Sequence, residues 1–335
     1  MHAVRRAVAR MPAAALAAVL STAVQAHVAD DAAAVHASTW PLPWSFELWV
    51  LACLAVSAGL YATGVARLWR HAGIGRGIGT LAVTAFAAGW WVLGVALVSP
   101  LDPLGGRLFS AHMVQHELLM VVAAPLLVLG RPLAAWAWAL PAGWRQPVGR
   151  FFNGASWQPF WQAVTHPVSA WSLHAIALWG WHVPWLFEAA LRSSVAHAFQ
   201  HASFFLTALL LWWAVLGAHT RHAQGGALVS LFTTMIHTGA LGALMSLSPL
   251  LWYPGYALPT TALGLDPLED QQLGGLVMWI PAGSVYVLVA LALMGRLLRG
   301  GASVPGRPLR AGMRVAQLPC APASAGAWND KELKP

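Results

Sequence analysis

Of fourteen histidines in the chain, four fall in two pairs with four-residue spacing, His112 with His116 and His197 with His201. A fifth, His182, lies between the pairs in the chain. Residues four apart on a helix share a face and sit about 6 Å apart along the axis. Each pair therefore offers two imidazoles to one point. An imidazole is costly to bury unpaired in apolar surroundings, so several at one depth point to a ligand site or a proton path. Met113, Met120, Met245 and Met278 map to neighbouring depths. Imidazole with thioether suits copper, Cu(I) above all, better than calcium or magnesium. The spacing itself does not separate copper from zinc, and each methionine taken alone is more readily a packing residue. Glu117 follows His116 and projects roughly 100° further around a helix. It can orient a ligating imidazole, neutralise a bound cation, pass a proton, or pair with a donor inside a helix bundle. Lone histidines such as His174 and His237 fit a hydrogen bond between helices as well as a site role.

The elements that carry these residues belong in a membrane. The 335 residues are 58% hydrophobic and 9% charged, against about 25% charged in a soluble domain. A cytosolic enzyme, a nucleic-acid-binding domain and a disulfide scaffold are excluded on that composition. The net charge of +8 sits in loops and tails, where it reports topology. Cys53 and Cys320 form no CxxC pair. Apolar segments of spanning length lie at 48–66, 78–98, 108–130, 167–187, 195–218, 227–247 and 273–295. The expected fold is all-α, a polytopic bundle of seven transmembrane helices over residues 48–295.

Arg5, Arg6 and Arg10 precede an apolar stretch ending at Val24-Gln25-Ala26, so residues 1–26 read as a signal peptide, with an uncleaved anchor as the alternative. Cleavage after Ala26 would begin the mature chain at His27, whose α-amino group and imidazole can chelate a metal together. Residues 27–47 are then a periplasmic segment, and 296–335 a basic, disordered cytoplasmic tail. Arginines 67, 70, 76, 131, 145, 150 and 221 fall in one set of loops, and Asp102, Glu188, Asp266, Glu269 and Asp270 in the other. The positive-inside rule puts the mature N-terminus in the periplasm and the C-terminus in the cytoplasm of an inner-membrane protein. All five clustered histidines then belong to the outward half. Residues 132–161 read as interfacial, with Trp136, Trp138 and Trp144 at headgroup level.

Several blocks carry a resemblance. They are Ser110-Ala111-His112-Met113-Val114-Gln115-His116 with Gly130-Arg131-Pro132, Trp181-His182-Val183-Pro184, His197 to His201 with Ser203-Phe204, and Asp270-Gln271-Gln272 leading to Met278-Trp279. In this order they resemble the CtaG-type multi-pass cytochrome c oxidase assembly proteins. The resemblance implies a non-enzymatic factor for a haem-copper terminal oxidase, acting with oxidase subunits or other assembly factors at a copper centre. It implies His112, His116, His182, His197 and His201 as copper ligands, with Gln115 and Asp270 to Gln272 in roles it does not specify. Met113, Glu117, Met278 and His27 are weaker candidates. Two other functions fit the same residues: an inner-membrane copper transporter, and a haem b electron carrier with axial histidines.

Overall fold

The computed structural model describes residues 42–299; the expected signal peptide, His27 and the tail from residue 300 onward lie outside the described residues. Every regular element among the described residues is helical. Helices α1 (Leu48–Ala72) and α2 (Thr80–Val98) are followed by the short α3 (Leu101–Gly105). Then α4 (Phe109–Glu117) runs through a π-helical segment, Leu118–Ala123, into α5 (Ala124–Leu129). Three short helices come next, α6 (Pro132–Ala139), α7 (Ala142–Phe152) and α8 (Gln158–Thr165). They lead to α9 (Pro167–Trp181), α10 (Pro184–Arg192), α11 (Ser194–Leu216) and α12 (Arg221–Ser246). A 3-10 turn (Pro254–Tyr256), α13 (Ala257–Ala262) and α14 (Pro267–Arg299) complete the described chain.

Among the described residues, six helices are long and apolar enough to cross a membrane: α1, α2, the continuous Phe109–Leu129, α11, α12 and α14. The seventh expected crossing, 167–187, is instead split. Pro184 offers no N–H and forces the residue before it out of helical conformation, and Val183 is extended at φ −64°, ψ 127°. Helix α9 is left with 15 residues, about 22 Å against a hydrocarbon layer of about 30 Å. It runs antiparallel to α11. Trp161, just before α9, packs on Trp213 near the end of α11. His174 Nδ1 lies 3.1 Å from Thr207 Oγ1, and Trp181 Nε1 donates to Ser203 Oγ at 2.7 Å.

The histidine-bearing third span is the centre of the bundle. Over its most apolar eighteen residues 56% are buried, against 17–39% in the other five spans. Its π segment loosens the helical register one residue beyond Glu117, an irregularity that in helices tends to accompany function. There Trp212 of α11 donates to the Met120 carbonyl at 2.8 Å and stacks on Tyr286 of α14. Helices α12 and α14 cross on glycines: a Cβ on Gly242 would lie 2.8 Å from the Gly275 carbonyl oxygen, and one on Gly275 would lie 2.6 Å from that of Gly242. Small residues at such a crossing let two backbones meet without water to drive them together.

In the 132–161 region, Ala135 packs its backbone on Gly64, so α6 lies directly against α1. Trp136 turns onto α1 and donates to the Ser57 carbonyl at 3.2 Å. Trp138 lies under the Arg145 guanidinium at 4.7 Å, and Trp144 is exposed.

Candidate metal centre

Asp270 fixes the start of the central helix. The orphan N–H groups of a helix N-terminus need acceptors, and the Asp270 carboxylate accepts from Phe109 N at 2.6 Å and Ser110 N at 3.3 Å. Ser110 Oγ donates to the same carboxylate. The adjoining Gln271 accepts from Trp252 N at 2.6 Å and donates to the Leu250 carbonyl at 3.1 Å. Gln272 donates to the Ser248 carbonyl at 3.1 Å. The Asp-Gln-Gln run thus holds α14, the α12–α14 connection and the start of α4 in one register, two turns ahead of His116. Asp270→Ala removes a buried cap, and it is expected to cost about 1–2 kcal/mol and lower the melting temperature of the purified protein.

The same connection closes over the histidines. Tyr253 Oη donates to the His182 carbonyl at 2.9 Å, and Tyr256 Oη to the Gly105 carbonyl at 2.8 Å. Phe187 of α10 sits 4.1 Å from the Tyr253 ring and 5.2 Å from the His112 ring, centroid to centroid. On the other side, Ser193 caps α11 by accepting from Ala196 N at 3.3 Å, which sets the helix that carries His197 and His201.

Within this frame the imidazoles converge from three places in the fold. His112 and His116 rings are 4.2 Å apart, His197 and His201 4.1 Å. Between the two helices, His116 lies 5.2 Å from His201 and His112 lies 5.4 Å from His197. His182 is 6.5 Å from His116. His112 and His116 are 1% exposed, and His182 3%. The Nε2 atoms of all five are buried with no hydrogen-bond partner among the described residues. A buried polar atom without a partner costs about 1–3 kcal/mol. Five such rings in one cluster bring that cost together at one place in the bundle. His182 Nδ1 sits 2.7 Å from the Leu178 carbonyl, an arrangement that keeps the proton on Nδ1 and leaves Nε2 free for a ligand.

Ligand atoms of His112, His116 and His201 lie within 4.8 Å of one another, as do those of Asp102, His197 and His201. A first-row ion with bonds of ~2.0–2.1 Å needs its ligands about 3.3 Å apart. Small side-chain rotations close that gap.

Asp102 carried no weight in the sequence as a ligand. Its only sign there is an acid ten residues before His112 in a short connection. Gln115 explains its placement: Nε2 donates to Asp102 Oδ1 and to the Ala96 carbonyl, both at 2.8 Å. Gln200, next to His201 in the chain, carried no sign in the sequence either; it is fully buried and its side chain lies against that of His112.

The weaker candidates fall elsewhere. Met113 packs against Gly274 of α14, and Met113, Met120, Met245 and Met278 all belong to the buried apolar core. Glu117 joins neither ligand group; its buried Oε2 has no partner among the described residues, and it lies toward Tyr286 of α14. His174 bonds Thr207, as a helix–helix contact does, while His237 packs edge-on to Trp171 with both ring nitrogens unpartnered.

The model of the cytochrome c oxidase caa3 assembly factor family, Caa3_CtaG, matches residues 59–300. An uncharacterized protein of Mycobacterium bovis is 28% identical over 275 residues, covering 79% of this chain and 40% of its own length. One of Mycobacterium leprae is 28% identical over 271 residues, 76% of this chain and 40% of its own. The chain thus spans two fifths of the length of the curated relatives it matches. No solved structure matches it. The family match covers the whole described bundle from the middle of α1 onward, every clustered histidine included, and the chain belongs to the cytochrome c oxidase caa3 assembly factor family.

Proposed function

We propose that this assembly factor binds copper at the histidine cluster and relays it to a haem-copper oxidase during maturation. Copper is its cargo, and the protein performs no catalysis. The observation that carries this reading is the set of five buried imidazole Nε2 atoms, from His112, His116, His182, His197 and His201, converging without partners. Imidazole nitrogen suits copper among the first-row metals, and an oxidase copper centre is a chemically fitting recipient. The partners are the oxidase subunit receiving the ion or another assembly factor. A transporter is less well supported, because among the described residues the far half of the bundle offers few aligned ligands beyond His174, already bonded to Thr207, and His237.

The arrangement proposed in the inner membrane puts the clustered histidines toward the periplasm and the C-terminus in the cytoplasm. Helices α9 and α10 together would make the seventh crossing, with His182 at the break. The arginines of the α1–α2 and α5–α8 connections support this orientation.

Deleting the gene is expected to lower terminal-oxidase activity and the copper content of the purified oxidase. Excess copper in the medium is expected to restore part of both. Normal oxidase activity and copper content in the deletion strain would contradict the proposal.

A further inference from the structure

We infer that the cluster contains two adjoining metal stations that share His201, an outer one of Asp102, His197 and His201 and an inner one of His112, His116 and His201. An ion enters at the outer station and passes to the inner. This rests on the copper-binding reading above and resolves it into a path.

Each group of three brings its ligand atoms within 4.8 Å. The groups differ in access. His112 and His116 are 1% exposed, whereas Asp102 and His197 are half-buried as residues, although His197 Nε2 is itself covered. They differ in chemistry too. The outer station has one carboxylate and two imidazoles, and the inner has imidazoles alone. A carboxylate attracts a cation by charge and tolerates one that still holds water; the inner station can take the ion only after it is dehydrated.

The outer carboxylate is held in place. Gln115 Nε2 bonds Asp102 Oδ1, and the same nitrogen bonds the Ala96 carbonyl, each at 2.8 Å. The second carboxylate oxygen is left for an ion. Gln115 lies on α4 between His112 and His116, so one helix carries two inner ligands and the residue that aims the outer one. A Cβ on Gly105 would lie 3.3 Å from Gln115 Oε1 and 3.4 Å from His112 Cα, so α3 is seated against both. The passage between stations is short. His197 and His201 are one helical turn apart on α11, with ring centroids 4.1 Å apart. Because the neutral His201 ring offers one lone pair, the two stations are alternative positions for one ion.

The test uses the full-length protein purified in detergent and Cu(II) salt as the probe, read by metal analysis, electron paramagnetic resonance and stopped-flow loading. The wild type is expected to hold one copper per chain. His116→Ala is expected to hold one copper with two nitrogens and an oxygen as ligands. In Asp102→Asn the amide oxygen still accepts from Gln115 but the charge is gone. This variant is expected to keep one copper on nitrogen ligands and to load at least ~10-fold more slowly. Melting temperatures check that both variants fold. Two coppers per wild-type chain, loading of Asp102→Asn at the wild-type rate, or no copper on folded His116→Ala would each overturn the two-station path. A wild type that binds one copper while Asp102→Asn is silent overturns this inference alone. A wild type that binds none overturns copper binding as well.

Discussion

Replacing His112 and His116 together with alanine is expected to weaken Cu(I) binding by about 100-fold or more, a loss larger than that usual for a supporting residue around a metal. Both rings belong to the most buried part of the cluster, and His201 lies 5.2 Å from one of them and 6.0 Å from the other. Without them only the outer group of Asp102, His197 and His201 is complete, and its carboxylate suits Cu(I) less well than imidazole does. Alanine at these positions relieves three buried, unpartnered ring nitrogens, so the fold is expected to survive. Competition against a chromophoric Cu(I) chelator measures the affinity, and a thermal melt of the same sample reports the fold. Unchanged affinity in a folded double variant would remove the pair from the site.

His201→Ala carries the second large effect. His201 is the residue common to both ligand groups, so its loss leaves neither with three ligands. Terminal-oxidase activity is expected to fall at least ~10-fold, close to the level of the deletion strain, with the protein still present in the membrane. His182→Ala is expected to do less, because its ring stands 6.5 Å from His116 as a fourth ligand at most. Oxidase assays on membranes, with immunodetection of the variant, compare the two. If His201→Ala membranes keep full activity, the shared position of His201 has no functional meaning.

The four paired histidines were legible because helical periodicity converts a spacing of four into a shared face, whatever the neighbouring helices do. That the two faces meet is a tertiary fact, which equal depth on the outward side allowed but did not require. The break before Pro184 was present in the sequence too. A hydropathy run across 167–187 obscured it, since Trp185, Leu186 and Phe187 are as apolar as a span, although a proline there stops the helix at Trp181.

Asp102 could not be read in advance for a different reason. It lies in a five-residue helix between two spans, with no periodic pattern, and its position depends on Gln115 reaching back across thirteen residues. Asp270, Gln271 and Gln272 stood out only by resemblance. Their hydrogen bonds now give them a physical role, holding the start of α4 and the loop over the histidines. The methionines illustrate the opposite case. Soft sulfur near imidazole suggests copper, but Met113 and Met278 pack in the apolar core as their flexible, apolar side chains allow.

That division between nitrogen and sulfur gives the most direct test of copper binding at the cluster: X-ray absorption at the copper edge of the purified protein loaded with one equivalent of Cu(I). The predicted spectrum shows nitrogen ligands only, at about 2.0 Å, with the outer-shell scattering of imidazole rings. Scattering dominated by sulfur at about 2.3 Å, or copper that washes away before the spectrum is recorded, would contradict it.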